Sequence, residues 1–188
     1  LVNNAGYASA GPVEDVPLIE VRRQFDVNFV GLVGITQAVL PMMRAAKCGR
    51  IVNVSSVAGI VSLPFLGIYC SSKFAVEGLS DALRLELRPF GIDVCIVEPA
   101  AIATEFAQVT HGQAQTPSSA YARWYQPDAL RDASDAVAVP VQVAVEAIVD
   151  ACLSQEPAAR SAVPARGRRM VALCRPVCST GSWLSGYD

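Results

Sequence analysis

Charge is scarce in this sequence, and its scarcity excludes two broad classes of protein. Only 17% of the 188 residues are charged and the net charge is −2, which argues against a broad nucleic-acid-binding surface. We find no uncharged apolar stretch that approaches about 18 residues, and we therefore expect no membrane span. A mean hydropathy of +0.36 is apolar for a soluble protein and predicts strands that are buried on both faces.

Residues that bind metals are few and poorly spaced. The single histidine, His111, is expected in a solvated loop, and the six cysteines lack the paired spacing of a metal site, so we predict none. The cysteines lie largely in apolar segments, as reduced and buried thiols of a cytoplasmic protein do. No signal peptide is visible, but its absence proves little because the amino terminus is expected to be missing.

Strands and helices alternate along the sequence. Apolar runs predict strands over 1–4, 50–55 and 92–97, with a doubtful fourth over 160–164. Helical spacing predicts helices from Pro17 to about 43, over 69–88 and over 141–154. Residues 100–139 show no clear period, and 166–188, with a basic cluster, are expected to form an irregular, solvated tail. This alternation predicts an α/β fold with a parallel sheet and right-handed crossovers.

Three residues carry the clearest chemical signal. Ser56 follows the strand over 50–55, and Tyr69 and Lys73 are four residues apart at the start of a predicted helix, so they share a face. A lysine ammonium beside a phenol favours the phenolate and lowers a pKa that is ordinarily about 10. The set suits proton transfer at an alcohol oxygen. The bare Tyr-x-x-x-Lys pair is also compatible with an ordinary exposed pair on a helix.

The surrounding motifs make the sequence resemble the short-chain dehydrogenase/reductase family. They are the turn Asn3-Asn4-Ala5-Gly6, Asn28 inside an apolar helix, Ser56 thirteen residues before Tyr69, and Tyr69-x-x-x-Lys73. The resemblance implies a Rossmann-like, doubly wound parallel sheet. It also implies that Tyr69 is the catalytic acid/base and that Ser56 polarises the substrate oxygen. Lys73 would lower the pKa of Tyr69 and bind the nicotinamide ribose. Asn28 would hold a water.

The same resemblance implies NAD or NADP as the cofactor and a small-molecule alcohol or carbonyl compound as the substrate. The implied cofactor-binding residues share the carboxyl edge of the predicted sheet, where ligands bind in such folds. They are Asn3, Ala5, Gly6, Tyr69, Lys73, Pro99, Ile102 and Thr104.

Two features depart from the family pattern. Ala100 stands where the family has glycine after Pro99, which would weaken cofactor binding if the backbone there needed positive φ. The glycine-rich turn that receives a pyrophosphate is absent from residues 1–188. We therefore expect residues 1–165 to be the carboxyl two-thirds of one domain that lacks its first strand–helix units. On that expectation the chain alone does not fold cooperatively, and the residues that choose NAD or NADP lie upstream.

Substrate and assembly are less sharply indicated. The segments 57–66 and 100–139 are rich in apolar and aromatic residues, which suggests a pocket for a lipid-, steroid- or retinoid-like alcohol, or simply a lid that packs on the domain. The helices over 17–47 and 68–89 resemble those of the family's dimer interface, implying a homodimer or homotetramer. A non-catalytic relative, and an epimerase or dehydratase with the same fold, are the competing hypotheses.

Overall fold

The computed structural model describes residues 1–104, 106, 111–112 and 119–165. The helices are α1 (Leu18–Phe25), α2 (Gly31–Ala46), α3 (Gly67–Leu87), α4 (Pro127–Asp135) and α5 (Val141–Leu153). The strands are β1 (Val2–Asn3), β2 (Ser9–Ala10), β3 (Gly49–Val54), β4 (Ile92–Pro99), β5 (Ile102–Ala103), β6 (His111–Gly112), β7 (Val139–Pro140) and β8 (Arg160–Val163).

The main sheet has four parallel strands in the order β1-β3-β4-β8. The central pair runs in register from Gly49 opposite Ile92 to Val54 opposite Val97. Both strands carry apolar residues that are almost fully buried, as expected of strands covered on both faces. All four predicted strands, including the doubtful one, are confirmed with shifted ends.

Helices cover both faces of this sheet. On one face, Leu83 and Leu87 of α3 pack with Ile51 and Val94, and side chains of α2 join them. On the other face, Ala144 and Ala151 of α5 pack against residues of β3, β4 and β8, namely Val52, Cys95, Val97 and Val163. The predicted doubly wound α/β architecture is therefore confirmed.

The first long helix is interrupted by a π-helical turn. Asp26–Val30 form this turn between α1 and α2, where the sequence predicted one continuous helix. A π turn inserts an extra residue per turn and is frequent at functional sites. Here it lies where the buried side chain of Asn28 meets the loop after β1.

The combined helical segment Leu18–Ala46 is long and apolar enough to cross a membrane, since its most apolar 18-residue window has a mean hydropathy of 1.4. The prediction that no stretch approaches this limit is therefore wrong. Length and composition are weak evidence for a span, because helices of soluble proteins pass the same test. In this structure Gln24, Asn28 and Thr36 are buried on the domain side of the helix, whereas Val30 and Met42 are exposed.

The segment 100–139 contains more regular structure than its sequence predicted. It holds α4 and three two-residue strands, of which β5 pairs with β7 and β6 pairs with β2. His111 lies in one of these ladders, opposite Ser9, and not in a loop as predicted. The tail over 166–188 lies outside the described residues. Of the cysteines in the described part, Cys70 and Cys95 are buried and Cys48 is exposed, and none forms a disulfide.

Candidate active site

Ser56 lies just beyond the carboxyl end of β3. Its extended backbone starts the short 3₁₀ turn Val57–Gly59, and its Oγ accepts a hydrogen bond from the Ala58 N–H at 3.1 Å. The same hydroxyl donates to the Pro99 carbonyl at 3.2 Å, which ties it to the end of β4. The turn therefore holds a buried hydroxyl at the edge where ligands bind in parallel sheets.

Tyr69 and Lys73 lie on the buried face of α3, in its first two turns. Both are almost fully buried, with 8% and 5% of their surface exposed. Lys73 Nζ donates to the Val54 carbonyl at 3.0 Å and lies 5.9 Å from the centroid of the Tyr69 ring. The structure thus brings the two residues together with Ser56, as predicted from their spacing.

The charge balance of this pair differs from the sequence-based expectation. Burial raises the pKa of Tyr69 to about 12, and the nearby Ser56 hydroxyl only partly offsets it. Burial also lowers the pKa of Lys73 to about 8, while the charge of Glu77 acts in the opposite direction. Lys73 lies beside the ring and its ammonium donates to a backbone carbonyl, so the lowering of the Tyr69 pKa by Lys73 stays a prediction.

Asn28 supports the site from the π turn. Its Nδ2 donates to the Tyr7 carbonyl at 2.9 Å and to Ser72 Oγ at 3.0 Å, and its Oδ1 accepts from the Tyr7 N–H at 3.0 Å. Its side chain therefore clamps the loop after β1 onto α3. The water-holding role inferred for Asn28 stays a prediction.

Gly6 makes a close approach to two side chains of the site. A Cβ at this position would lie 3.2 Å from Asn28 Oδ1 and 3.5 Å from Lys73 Nζ. Its φ is not in the left-handed region, so close approach and not backbone freedom requires the glycine.

The other predicted cofactor residues fall into two groups. Asn3 uses its side-chain amide within the domain, donating to Thr36 Oγ1 at 3.2 Å and to Asn53 Oδ1 at 2.9 Å. Asn53 in turn donates to Ser80 at 2.9 Å, so a buried polar chain links β1, β3 and α3. Asn3 is thus positioned as a support of the sheet.

Ala5 and Thr104 are exposed, and Ile102 lies partly buried in β5. Ala100 donates its N–H to the Val163 carbonyl at 2.7 Å, and its φ is not positive. The strain considered for an alanine at this position is therefore absent.

The Lys73 ammonium has hydrogen-bond donors that could serve a nicotinamide ribose. Among the described residues, only one of the three donors of the Lys73 ammonium is used, by Val54. Gly6 lies close to that ammonium, since a Cβ there would be 3.5 Å from Lys73 Nζ, and the exposed Ala5 is adjacent. Lys73, Gly6 and Ala5 are therefore the residues that could hold the cofactor.

Sequence reasoning missed several residues that build the site. Ser72 links Asn28 to α3, and Glu77 continues the face of α3 that carries Tyr69 and Lys73. The spacing of Tyr69, Lys73 and Glu77, four residues apart each time, is the signal that could have identified Glu77. Phe106 belongs to the segment over 100–139 that the sequence predicted to flank the site, and its ring centroid lies 5.8 Å from that of Tyr69.

Comparison with known sequences agrees with this geometry. The family model described as short chain dehydrogenase matches residues 1–115. A probable short-chain type dehydrogenase/reductase, VdlC of Helicobacter pylori, is 44% identical over 122 residues, which are 65% of this chain and 45% of that protein. A 3-ketodihydrosphingosine reductase of Bacteroides thetaiotaomicron is 48% identical over 106 residues, 56% of this chain and 39% of the reductase. Retinol dehydrogenase 8 of Bos taurus is 44% identical over 106 residues, 56% of this chain and 34% of that enzyme.

Solved structures of short-chain dehydrogenases are also similar to this chain. A short-chain dehydrogenase from Streptomyces avermitilis superposes with a TM-score of 0.79 at 30% identity, covering 100% of this chain and 68% of that one. A short-chain dehydrogenase from Sphingobium yanoikuyae, in complex with NADPH, has a TM-score of 0.69 at 27% identity and covers 95% of this chain and 64% of its own. The chain thus spans about half or less of the curated relatives described above, between 34% and 45% of their length. It belongs to the short-chain dehydrogenase family.

Proposed function

We propose that the protein carrying this chain is an oxidoreductase that interconverts a secondary alcohol and a ketone or aldehyde with NAD or NADP. The observation that carries the proposal is the meeting of the Tyr69 phenol, the Ser56 hydroxyl and the Lys73 ammonium at the carboxyl edge of β3. A phenol, a hydroxyl and a buried cation are together suited to move a proton at an alcohol oxygen. The NADPH bound to the Sphingobium relative supports the cofactor class.

Ser56 and Tyr69 would have separate roles in the proton transfer. Ser56 would hold the substrate oxygen by a hydrogen bond, and Tyr69 would donate a proton to that oxygen in reduction or take it in oxidation. Because burial raises the Tyr69 pKa to about 12, the phenol is protonated at neutral pH and ready to act as the acid of a carbonyl reduction. The nicotinamide, when bound, supplies or accepts the hydride. Lys73 and Gly6 would hold its ribose, and the Lys73 ammonium would then stabilise the phenolate.

The test is the Tyr69→Phe variant of the full-length protein. Removal of one oxygen should abolish net oxidation of a secondary alcohol by NAD⁺ or NADP⁺, and the reverse reaction, while NAD(P)H binding persists. Tyr121→Phe, at a tyrosine outside the site, is the matched control and should retain wild-type turnover. Normal turnover in Tyr69→Phe would refute the assignment. An epimerase or dehydratase would show no net change in NAD(P)H absorbance with wild-type protein.

The aromatic and aliphatic surroundings of Tyr69 favour an apolar substrate. Leu63 and Leu66 pack beside Tyr69 and Phe106 covers its ring. Two relatives are named for 3-ketodihydrosphingosine and for retinol, both largely apolar molecules. A long-chain or retinoid alcohol should therefore give a higher kcat/KM than a short polyol. The reverse order would indicate that these side chains serve only to pack the segment onto the domain.

The exposed helix face is proposed to join copies of the chain. Val30, Ile35 and Met42 are 54%, 53% and 69% exposed on one helical segment, and Phe74 and Leu85 are exposed on α3. A set of large apolar side chains this exposed is typical of an interface. A homodimer or homotetramer would cover them.

A further inference from the structure

A fully buried amide that the proposed chemistry does not use lies four residues before Asn28. Gln24, in the last turn of α1, has an exposed fraction of 0%. Its Nε2 donates to the Tyr7 carbonyl at 2.7 Å, and its Oε1 accepts from the Ser9 N–H at 3.2 Å. Because an amide side chain has both a donor and an acceptor, it can hold these two backbone groups at once. Gln24 therefore clamps the loop after β1 on both sides of Ala8.

The clamped loop is in turn bonded to the backbone of Tyr69. The Tyr7 carbonyl also accepts from Asn28 Nδ2 at 2.9 Å, and the same Nδ2 donates to Ser72 Oγ at 3.0 Å. The Ser72 hydroxyl donates to the Tyr69 carbonyl at 2.7 Å. A continuous series of hydrogen bonds therefore joins Gln24 to the backbone of the proposed acid/base.

Packing connects the same loop to the site a second time. Ala8, between the two clamped backbone groups, lies in one buried cluster with Tyr69 and Cys70. Gly6, at the start of the loop, approaches Lys73 so closely that a Cβ there would be 3.5 Å from its Nζ. A displacement of the loop would therefore reach both members of the Tyr-x-x-x-Lys pair.

We propose that Gln24 is a positioning residue, whose amide fixes the loop that orients Asn28 and packs in the cluster of Tyr69. Without this amide the Tyr7 carbonyl is held by Asn28 alone, and the Ser9 N–H loses its acceptor. The proposal rests on the proposed function for its effect on turnover, whereas the clamp on the loop is independent of any reaction.

The first test measures the clamp and needs no turnover. Amide hydrogen exchange is followed by NMR in the full-length protein and in Gln24→Met, which keeps the length of the side chain and removes both hydrogen-bonding groups. Relative to the Val52 amide in the centre of the sheet, the Ser9 amide should exchange about tenfold faster in the variant. An unchanged Ser9 rate would overturn the proposal. Equal acceleration at Ser9 and Val52 would also overturn it, because it marks a general loss of stability.

The second test is the pH profile of kcat in Gln24→Glu. A protonated carboxyl keeps one donor and one acceptor, whereas a carboxylate only accepts and repels the Tyr7 carbonyl. The kcat of this variant relative to wild type should therefore fall about tenfold as the new carboxyl loses its proton, whereas Gln24→Met should be about tenfold slower at every pH. A merely structural role would reduce the amount of folded enzyme and leave kcat per folded molecule unchanged, and that result would overturn the proposal.

Matched variants and the two readouts together separate the possible failures. Gln155→Met and Gln155→Glu make the same changes at an exposed glutamine before β8 and should alter neither Ser9 exchange nor kcat. Equal effects at both glutamines would contradict a specific role of Gln24. Faster Ser9 exchange in a protein without oxidoreductase activity would support the clamp and refute the proposed function. Tyr69-dependent activity that is unaffected in Gln24→Met would overturn the positioning role and leave the proposed function standing.

Discussion

Lys73→Met should make the protein more stable at neutral pH while it loses activity. Lys73 is 5% exposed, and burial disfavours its charged form, so that its pKa falls from 10.5 to about 8. Methionine has a similar shape and carries no charge, so it removes the group that is costly to bury. The same residue is thus a liability for folding and, on the proposed function, essential for turnover.

The magnitude follows from linkage between protonation and folding. At about 1.4 kcal/mol for each pH unit, a pKa lowered from 10.5 to about 8 corresponds to about 3 kcal/mol of destabilisation below pH 8. The hydrogen bond from Lys73 to the Val54 carbonyl, worth about 1 kcal/mol, is lost in the variant. Lys73→Met should therefore gain about 2 kcal/mol at pH 7.

The pH dependence gives the sign of the effect. Between pH 8 and 10.5 the unfolded chain binds a proton at Lys73 that the folded protein does not, so the wild type becomes more stable as pH rises through this window. The variant lacks this gain, and the difference between the two proteins should shrink with rising pH.

Urea unfolding of the full-length protein between pH 7 and pH 9.5 measures this directly. Lys47→Met, at an exposed lysine, is the control and should follow the wild-type pH dependence. Parallel stability curves for Lys73→Met and wild type would refute the reasoning. They would mean that the ammonium is solvated in the folded protein.

Two further variants test the site and the surface. Gly6→Ala places a Cβ 3.2 Å from Asn28 Oδ1 and should lower kcat/KM roughly tenfold by displacing Asn28 and Lys73, whereas Gly34→Ala, with nothing within 4 Å of its Cβ, should have no effect. Equal rates for the two alanine variants would contradict the role given to Gly6. Ile35→Glu adds a charge to an apolar side chain that is 53% exposed, and it should reduce the oligomeric mass measured by sedimentation velocity. An unchanged mass would exclude this face as the interface.

The elements of the fold were predictable where local pattern and burial agree. The apolar runs of β3 and β4 predict buried strands, and the stop at Pro89 and Gly91 predicts the end of α3 within a few residues. The two-residue ladder of Ser9 with His111 was not predictable. It joins residues about a hundred positions apart and has too few residues for any period to appear.

The apolar length of the first helical segment was misjudged for a related reason, whereas the expectation of no membrane span stays a prediction. The helical segment Leu18–Ala46 combines exposed apolar residues with polar ones that are buried, such as Gln24 and Thr36. A count of apolar residues cannot distinguish the face that packs on a domain from the one that remains uncovered. Only tertiary contacts show that the polar side chains lie inside.

In the site, the positions of the residues were predictable from the sequence pattern, whereas their charge states depend on the surrounding structure. The order of Ser56, Tyr69 and Lys73 in the sequence was sufficient to bring them to one edge, because strand ends and helix faces are local properties. Their charge states were not predictable, since both pKa values are set by burial, to about 12 for Tyr69 and about 8 for Lys73. Burial depends on how the sheet, α3 and the π turn pack together.

Arg160 could not be identified from the sequence for the same reason. It follows Lys73 by 87 positions, and no motif joins the two, yet the parallel register of β4 and β8 places Arg160 opposite Ile96 and within reach of Glu98 and Glu77. Glu98 and Asp81 add two carboxylates beside Glu77, and such a cluster needs a further cation. The sheet supplies that cation from its last strand, so the charge balance of α3 depends on the whole sheet and not on α3 alone.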